Sequence, residues 1–386
     1  MLYRAAQRTS LARSIRNSSS RLFRAPGRVN LIGEHTDYND GFVMPVAINF
    51  STWISLLPRV GRKLEIHSEN FDETVFFDLD DLNVSPRGHW SDYAAGVAIM
   101  LERAGHRLRG AHLSIRGEVP IGSGLSSSAA LEVATVCALA ANSDLAIEKI
   151  ELARLCRQAE NDFVGARVGI MDQFVSVFGE RDKALLLDCR SLEFKLLPVP
   201  SEVQLVVCNT MVKHELASSA YNERRSQCEE GVRKLSALLP NVRALRDVSS
   251  SQLEEHAREL APIIYRRCRH IVTENERVLA ASEALEQTDL CRFGQLMNES
   301  HQSLRYDYEV SCAELDQMVE LARGVGGVYG ARMTGGGFGG CTVNLVSRDN
   351  VNDFKDRVAA GYYKATGLKP EIYVCTAVKG AEEVVG

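Results

Sequence analysis

The sequence predicts an α+β protein of two domains, and three observations carry that prediction. At 386 residues the chain is longer than one hydrophobic core ordinarily serves, so two packed units are expected. The first half alternates short β-rich and helical segments. Beyond about residue 205 helices dominate, and strands return only near the C-terminus.

In chain order, Phe42 to Leu57 is a β-rich, largely apolar stretch, and Leu64–His67 and Thr74–Leu79 are shorter strands. Tyr93–Ala104 has helical character. Ala111–Val119 alternates apolar and polar residues as a half-buried strand does. Ser128–Ala141, rich in Ala, Leu and Val, predicts a well-buried helix. Ile147–Val164 predicts a second helix, with Ile150, Ala153, Leu155 and Cys156 apolar. Strands follow at Ala184–Leu187 and Val203–Val207. Helices are then expected over Tyr221–Leu238, Ile263–Leu285, Leu290–Leu304 and Glu314–Arg323, and strands over Val328–Met333, Cys341–Val346 and Glu371–Cys375. The boundary is expected between residues 190 and 210, giving domains 23–200 and 201–386 after a basic segment over 1–22. That segment carries Arg4, Arg8, Arg13, Arg16 and Arg21 among Ser and Ala, and no acidic residue precedes Glu34. Its composition fits an organelle transit peptide, or a frayed basic terminus, which is the expectation here.

Composition excludes several classes. A net charge of −5 argues against general nucleic-acid binding. No apolar run reaches the roughly 18 residues that span a bilayer. The ten cysteines form no CxxC pair and the nine histidines no HxxxH pair. Reduced thiols in a cytoplasmic protein are therefore expected, not a disulfide framework or a zinc site.

Three motifs carry chemistry. In Arg24–Asn39, Glu34, His35 and Asp37 lie within four positions and can converge on a small polar ligand, with Pro26-Gly27 marking a turn before Arg28. A charged surface turn is the competing reading. In Val119–Ala130, a strand leads through Gly122 and Gly124 to a helix beginning near Ser128. Gly lets a backbone approach closely, and open N–H groups at a helix start suit phosphate oxygens. Ser126, Ser127 and Ser128 can cap the helix or reach a ligand; an N-capped helix without a ligand is the alternative. GxxxxGK[ST] is absent, so this is not a Walker loop. Met333–Cys341 matches GxGxxG by chance. A strand follows it instead of a helix, so it predicts a flexible turn between strands, with or without a ligand. Asp172, in Gly169-Ile-Met-Asp-Gln-Phe174, and Glu160 taken singly are more often structural than catalytic.

Together, in this order and spacing, these residues resemble the GHMP kinases, and within them the galactokinase subfamily, from about Phe23 to the C-terminus. Glu34-His35-Thr36-Asp37-Tyr38-Asn39 carries the sugar specificity of that resemblance. Asp188-Cys-Arg-Ser191 and Asp307-Tyr-Glu-Val-Ser311 extend it. The Arg/Ser-rich start departs from the helix such proteins commonly carry there. The resemblance implies a GHMP kinase fold with the active site in the cleft between the N-terminal mixed sheet/helix domain and the C-terminal α+β domain. It implies phosphorylation of galactose at the anomeric hydroxyl by ATP with Mg²⁺. Asp172 would act as base and Arg28 would sit beside it and the transferring phosphoryl group. Glu34, His35, Thr36, Asp37, Tyr221, Gly335 and Gly336 would hold the sugar. Gly122, Ser123, Gly124, Leu125, Ser126, Ser127 and Ser128 would hold the nucleotide phosphates, and Ser128 with Glu160 the metal. A carboxylate beside an arginine is a weak base, so orienting the hydroxyl is expected to matter as much as taking its proton. The partners implied are galactose and ATP, with no nucleic acid and no membrane, and a monomer is the default. An N-acetylgalactosamine kinase or a non-catalytic galactose sensor are the rival readings. Intact Thr36-Asp37-Tyr38-Asn39 argues against the first, and the undeleted Ser126–Ala130 loop against the second.

Overall fold

The computed structural model describes residues 20–213 and 217–385. Thirteen strands are described: β1 Arg21–Asn30, β2 Phe42–Val43, β3 Pro45–Pro58, β4 Lys63–Ser68, β5 Glu73–Asp78, β6 Ala111–Gly117, β7 Lys183–Asp188, β8 Phe194–Pro198, β9 Val203–Lys213, β10 Val328–Thr334, β11 Gly339–Ser347, β12 Glu371–Cys375 and β13 Glu382–Glu383. They form a six-stranded sheet in the order β13-β1-β3-β6-β4-β5, a four-stranded sheet β10-β11-β9-β12 and a three-stranded sheet β2-β7-β8. Pairing is antiparallel except for β4 with β6. Sheets and helices together make the α+β architecture that the sequence predicts.

The first sheet packs on helices Ser91–Arg103, Ser127–Asn142, Lys149–Gln158 and Met171–Phe178. Helix Ser127–Asn142 buries 11 of its 16 residues. That follows from a sequence rich in Ala, Leu and Val, which leaves little polar face to give to water. A second apolar cluster joins the halves. Val29, Val46 and Leu125 on one side meet Leu205, Val343 and Met297 on the other, so the floor of the cleft is packed hydrocarbon. Helices Pro262–Glu286 and Leu290–Ser303 close it from behind.

Several expectations need correcting. Pro26-Gly27 is not a turn: β1 runs through it, with a register shift against β3 between Pro26 and Arg28. A bulge tolerates proline inside a sheet. Here it also presses the backbone against the phosphate loop, since Arg28 N donates to Leu125 O at 3.1 Å and a Cβ on Gly27 would lie 2.6 Å from that oxygen. The helix expected over Ile147–Val164 begins at Lys149, and its end widens into a π-turn over Ala159–Val164 that carries Glu160. Of the basic segment assigned to residues 1–22, residues 1–19 lie outside those described. Arg21 and Leu22 already belong to β1, where Arg21 pairs with Glu383 at 2.8 Å. Helices Met171–Phe178 and Val351–Thr366 had no counterpart in the sequence reading. The turn between strands at Gly335–Phe338 is as expected.

Candidate active site

Arg28, on β1 just past the bulge, is 6% exposed and reaches across to helix Met171–Phe178. Its Nε donates to Asp172 Oδ1 at 2.8 Å and its Nη2 to Oδ2 at 2.7 Å, a two-pronged charged pair. Its Nη1 donates to the Gly124 carbonyl at 2.6 Å, tying the pair to the glycine loop. Ser126 takes a left-handed backbone (φ 61°) at the start of helix Ser127–Asn142 and makes no side-chain cap. Its hydroxyl donates to Asp172 Oδ2 instead. The helix start is thereby left with uncapped N–H groups, as an anion site requires.

Two cavities meet at this pair. The larger, about 440 Å³, is lined at one end by Gly122, Gly124, Ser126, Ser127 and Ser128, and at the other by Phe71, Trp90, Tyr93 and Leu131. Phe71 and Trp90 stack with centroids 5.9 Å apart. Sequence reasoning missed this aromatic end. A lone phenylalanine set among Glu69, Asn70, Asp72 and Glu73 was the signal available. Of the loop residues assigned to phosphate, Ser123 and Leu125 do not face the cavity. Ser123 is buried with its hydroxyl on Pro120 O at 2.7 Å, and Leu125 belongs to the core between the halves.

The smaller cavity, about 170 Å³, is lined by Glu34, His35, Asp37, Tyr221, Gly335 and Gly336 together with Arg28 and Asp172. Thr36 is not among the lining residues. It is fully buried, with its hydroxyl within bonding reach of Gly33 O (2.9 Å) and Phe42 O (2.6 Å), so it shapes the turn and not the pocket. Glu34 is held by Asn30, by Thr334 Oγ1 at 2.9 Å and by Gly335 N at 2.6 Å, with the buried Arg332 guanidinium 3.7 Å away. It therefore locks the glycine turn of the second half to β1. Gly335 lies so close to Gly124 that a Cβ would sit 3.3 Å from the Gly124 oxygen. Gly169 abuts Asp37, where a Cβ would meet Oδ2 at 1.9 Å.

Burial, with Asp172 and Glu34 nearby, pushes the Asp37 carboxyl up to about 7. An acid raised in the fold contributes stability that is present below its unfolded pKa and lost as pH rises through the folded one. Asp37→Asn is neutral at every pH, so its melting temperature relative to wild type should be higher at pH 8 than at pH 6. Parallel melting curves of both proteins at the two pH values check this, and an offset independent of pH would contradict it.

Glu160, on the π-turn, is 6% exposed. Burial and the neighbouring Asp172 push its carboxyl up to about 7, against hydrogen bonds from Ser128 and Gln173. Gln173 Nε2 donates to Glu160 Oε2 at 2.7 Å and to Glu132 Oε2 at 3.0 Å. A buried carboxyl raised by its acidic neighbour, with a hydroxyl beside it at the mouth of the phosphate loop, fits a hard divalent cation. Among the described residues no group of three or more His, Cys, Asp or Glu side chains gathers as a self-sufficient metal site. The donor set suits an ion such as Mg²⁺, which keeps waters and takes its remaining ligands from phosphates.

A helix start with open N–H groups, an Arg–Asp pair and a small polar cavity beside it form the kind of arrangement that phosphoryl transfer uses, in a fold of two packed lobes. Residues 92–180 match the GHMP kinases N-terminal domain, residues 281–364 the GHMP kinases C-terminal domain, and residues 13–58 the galactokinase galactose-binding signature. The chain is 49% identical over 364 residues to a galactokinase of Roseiflexus sp. strain RS-1, covering 94% of this chain and 93% of that one. It is 47% identical over 365 residues to a galactokinase of Haemophilus influenzae strain PittEE, covering 93% and 94%. A crystal structure of Lactococcus lactis galactokinase complexed with galactose superposes with a TM-score of 0.94 at 37% identity, covering 98% of this chain and 100% of that one. The mevalonate kinase of Methanococcus jannaschii (TM-score 0.67, 18% identity) shares the fold. The chain belongs to the galactokinase family of the GHMP kinases.

Proposed function

We infer that the chain transfers the γ-phosphoryl group of ATP to the anomeric hydroxyl of D-galactose, giving galactose 1-phosphate and ADP. The observation that carries this is the meeting of the two cavities at Arg28 and Asp172: a nucleotide-sized space with an anion-binding end opens onto a sugar-sized space lined by acids. The aromatic end suits the adenine ring and the Gly122–Ser128 loop the phosphates. Glu34, His35, Asp37 and Tyr221 suit the sugar hydroxyls.

Asp172 orients the anomeric hydroxyl and receives its proton as the new O–P bond forms and the bond to the leaving ADP oxygen breaks. Arg28 fixes the Asp172 carboxylate and offsets charge on the transferring group. Ser126 links that carboxylate to the phosphate loop. Ser128 and Glu160 would hold Mg²⁺, which supplies neutralisation of phosphate charge. Residues 23–200 and 201–386 are proposed as the lobes, although β13 returns from the second to pair with β1. One copy of the chain supplies every residue named, so the proposed working unit is the monomer. Among the described residues no helix is long and apolar enough to cross a membrane.

The test is ADP release from MgATP with galactose, N-acetylgalactosamine, glucose or no sugar. Galactose should exceed glucose by about a hundredfold or more in kcat/KM, because misplacing the 4-hydroxyl leaves buried polar groups unpaired. Equal turnover of the two sugars would overturn the assignment. A preference for N-acetylgalactosamine, or galactose binding without turnover, would establish one of the two rival readings.

A further inference from the structure

His35 stands at the inner end of a hydrogen-bonded chain that leads away from the sugar cavity. Its Nδ1 lies 2.8 Å from the Tyr38 hydroxyl, which lies 2.8 Å from the Tyr308 hydroxyl, which lies 3.2 Å from Cys228 Sγ. His35, Tyr308 and Cys228 are almost completely buried. The His35 backbone is left-handed (φ 66°), an unusual conformation for a residue with a side chain. On its other side, Nε2 is buried and has no hydrogen-bond partner in the protein, although His35 lines the sugar cavity.

We propose that the Tyr38–Tyr308–Cys228 chain is a positioning device that fixes His35 as the neutral Nε2–H tautomer, so that the ring donates a hydrogen bond to an oxygen of the bound sugar. Each hydroxyl has one proton, so the chain runs in one direction. Directed away from His35, it would end with a phenol donating to a sulfur, which is a weak acceptor. Directed toward His35, the thiol donates to Tyr308, Tyr308 to Tyr38, and Tyr38 to the imidazole nitrogen, the best acceptor in the chain. Nδ1 then accepts, and the ring hydrogen is on Nε2. Burial holds the imidazole well below its ordinary range, so the ring is neutral and the tautomer is the one variable left.

The consequence is a division of labour in the pocket. Asp37 and Asp172 can accept protons from sugar hydroxyls, and a hydroxyl that gives its proton to one of them still needs a donor for its lone pairs. His35 is that donor. A histidine in the other tautomer would set a lone pair against the sugar oxygen and leave the substrate unpaired. Tyr38 and Tyr308 do not line the cavity and act only through the ring.

The inference rests on the proposed sugar site, and its test separates the two. Nitrogen-15 spectra of the imidazoles, with the His35 signals identified by their loss in His35→Gln, report the tautomer without turnover. Wild type should show a protonated Nε2 and an unprotonated Nδ1. Tyr38→Phe should lose that fixed pattern and raise KM for galactose about tenfold, with kcat within about twofold, as expected for one uncharged hydrogen bond made in both ground and transition states. Tyr308→Phe retains the Tyr38 hydroxyl and should have a smaller effect of the same sign. A wild-type His35 protonated on Nδ1, or a Tyr38→Phe protein with the wild-type tautomer and KM, would overturn the inference. Failure of the wild-type protein to phosphorylate galactose would overturn the functional reading instead.

Discussion

Asp172→Asn is expected to lower kcat by about a hundredfold or more, the usual loss when a group acting on the reacting atoms of a preorganised site is removed, while the protein stays folded. The competing explanation is that Asp172 exists to neutralise Arg28, which is buried and holds the glycine loop through Gly124. In that case the variant would melt early, and activity would fall only with the folded fraction. The surroundings argue against a large stability loss. Glu34 and Asp37 also stabilise the Arg28 charge, so asparagine does not leave the guanidinium alone. Asp172 is also one cause of the raised Asp37 carboxyl, so its neutralisation lets Asp37 ionise more readily and take over part of the pairing. The amide keeps the shape of the carboxyl and can still accept from Arg28, but it cannot take the proton of the attacking hydroxyl. Arg28→Ala should lose turnover to a similar degree and destabilise as well, because it removes the Gly124 bond and leaves Asp172 beside Asp37 and Glu160. Turnover and thermal unfolding measured side by side decide the matter. A folded Asp172→Asn protein with near wild-type kcat would remove Asp172 from the mechanism.

Both lobes and most of their elements were legible in the sequence because they rest on local periodicity. Helix Pro262–Glu286 and strands β10 to β12 follow from pattern alone. β1 was hidden by Pro26-Gly27, which signal a turn unless a neighbouring loop fixes a bulge, and that neighbour, Leu125, is about a hundred residues away. The site motifs were readable as clusters, but the aim of each side chain was not. Thr36, Ser123 and Leu125 sit within functional motifs and turn inward, since a motif must build its own turn as well as bind. Ser126 looked like a helix cap and serves Asp172. Glu132 and Gln173, buried behind Glu160, carry no sequence signal of their own, because only the packed helices bring them together. Trp90 and Phe71 reach the nucleotide-sized cavity from a helix start and a turn with no phosphate motif of their own.

Glu160→Gln should be at least as stable as wild type and yet respond poorly to Mg²⁺. The raised Glu160 carboxyl makes the sign explicit. Its contribution to stability is present below its unfolded value and is lost as pH rises through about 7. At pH 8 wild type therefore carries a buried charge near Asp172, and glutamine does not. A purely structural carboxylate would behave in the opposite way, since glutamine exchanges one of the two acceptor oxygens that face Ser128 and Gln173 for an N–H donor, which would lower the melting temperature. For a cation the ionised carboxylate is the feature that matters. Its replacement should raise the Mg²⁺ concentration for half-maximal activity at least about tenfold, as changes even in the outer shell of metal sites do. Ser128→Ala should shift it in the same direction but less, because a neutral hydroxyl is the weaker ligand. Binding of Mn²⁺ in the presence of ADP, followed by electron paramagnetic resonance, reports the same affinity without turnover and should weaken in parallel. An unchanged metal dependence in Glu160→Gln, together with a lowered melting temperature, would assign Glu160 to the fold and require the metal to be held by the nucleotide and other residues.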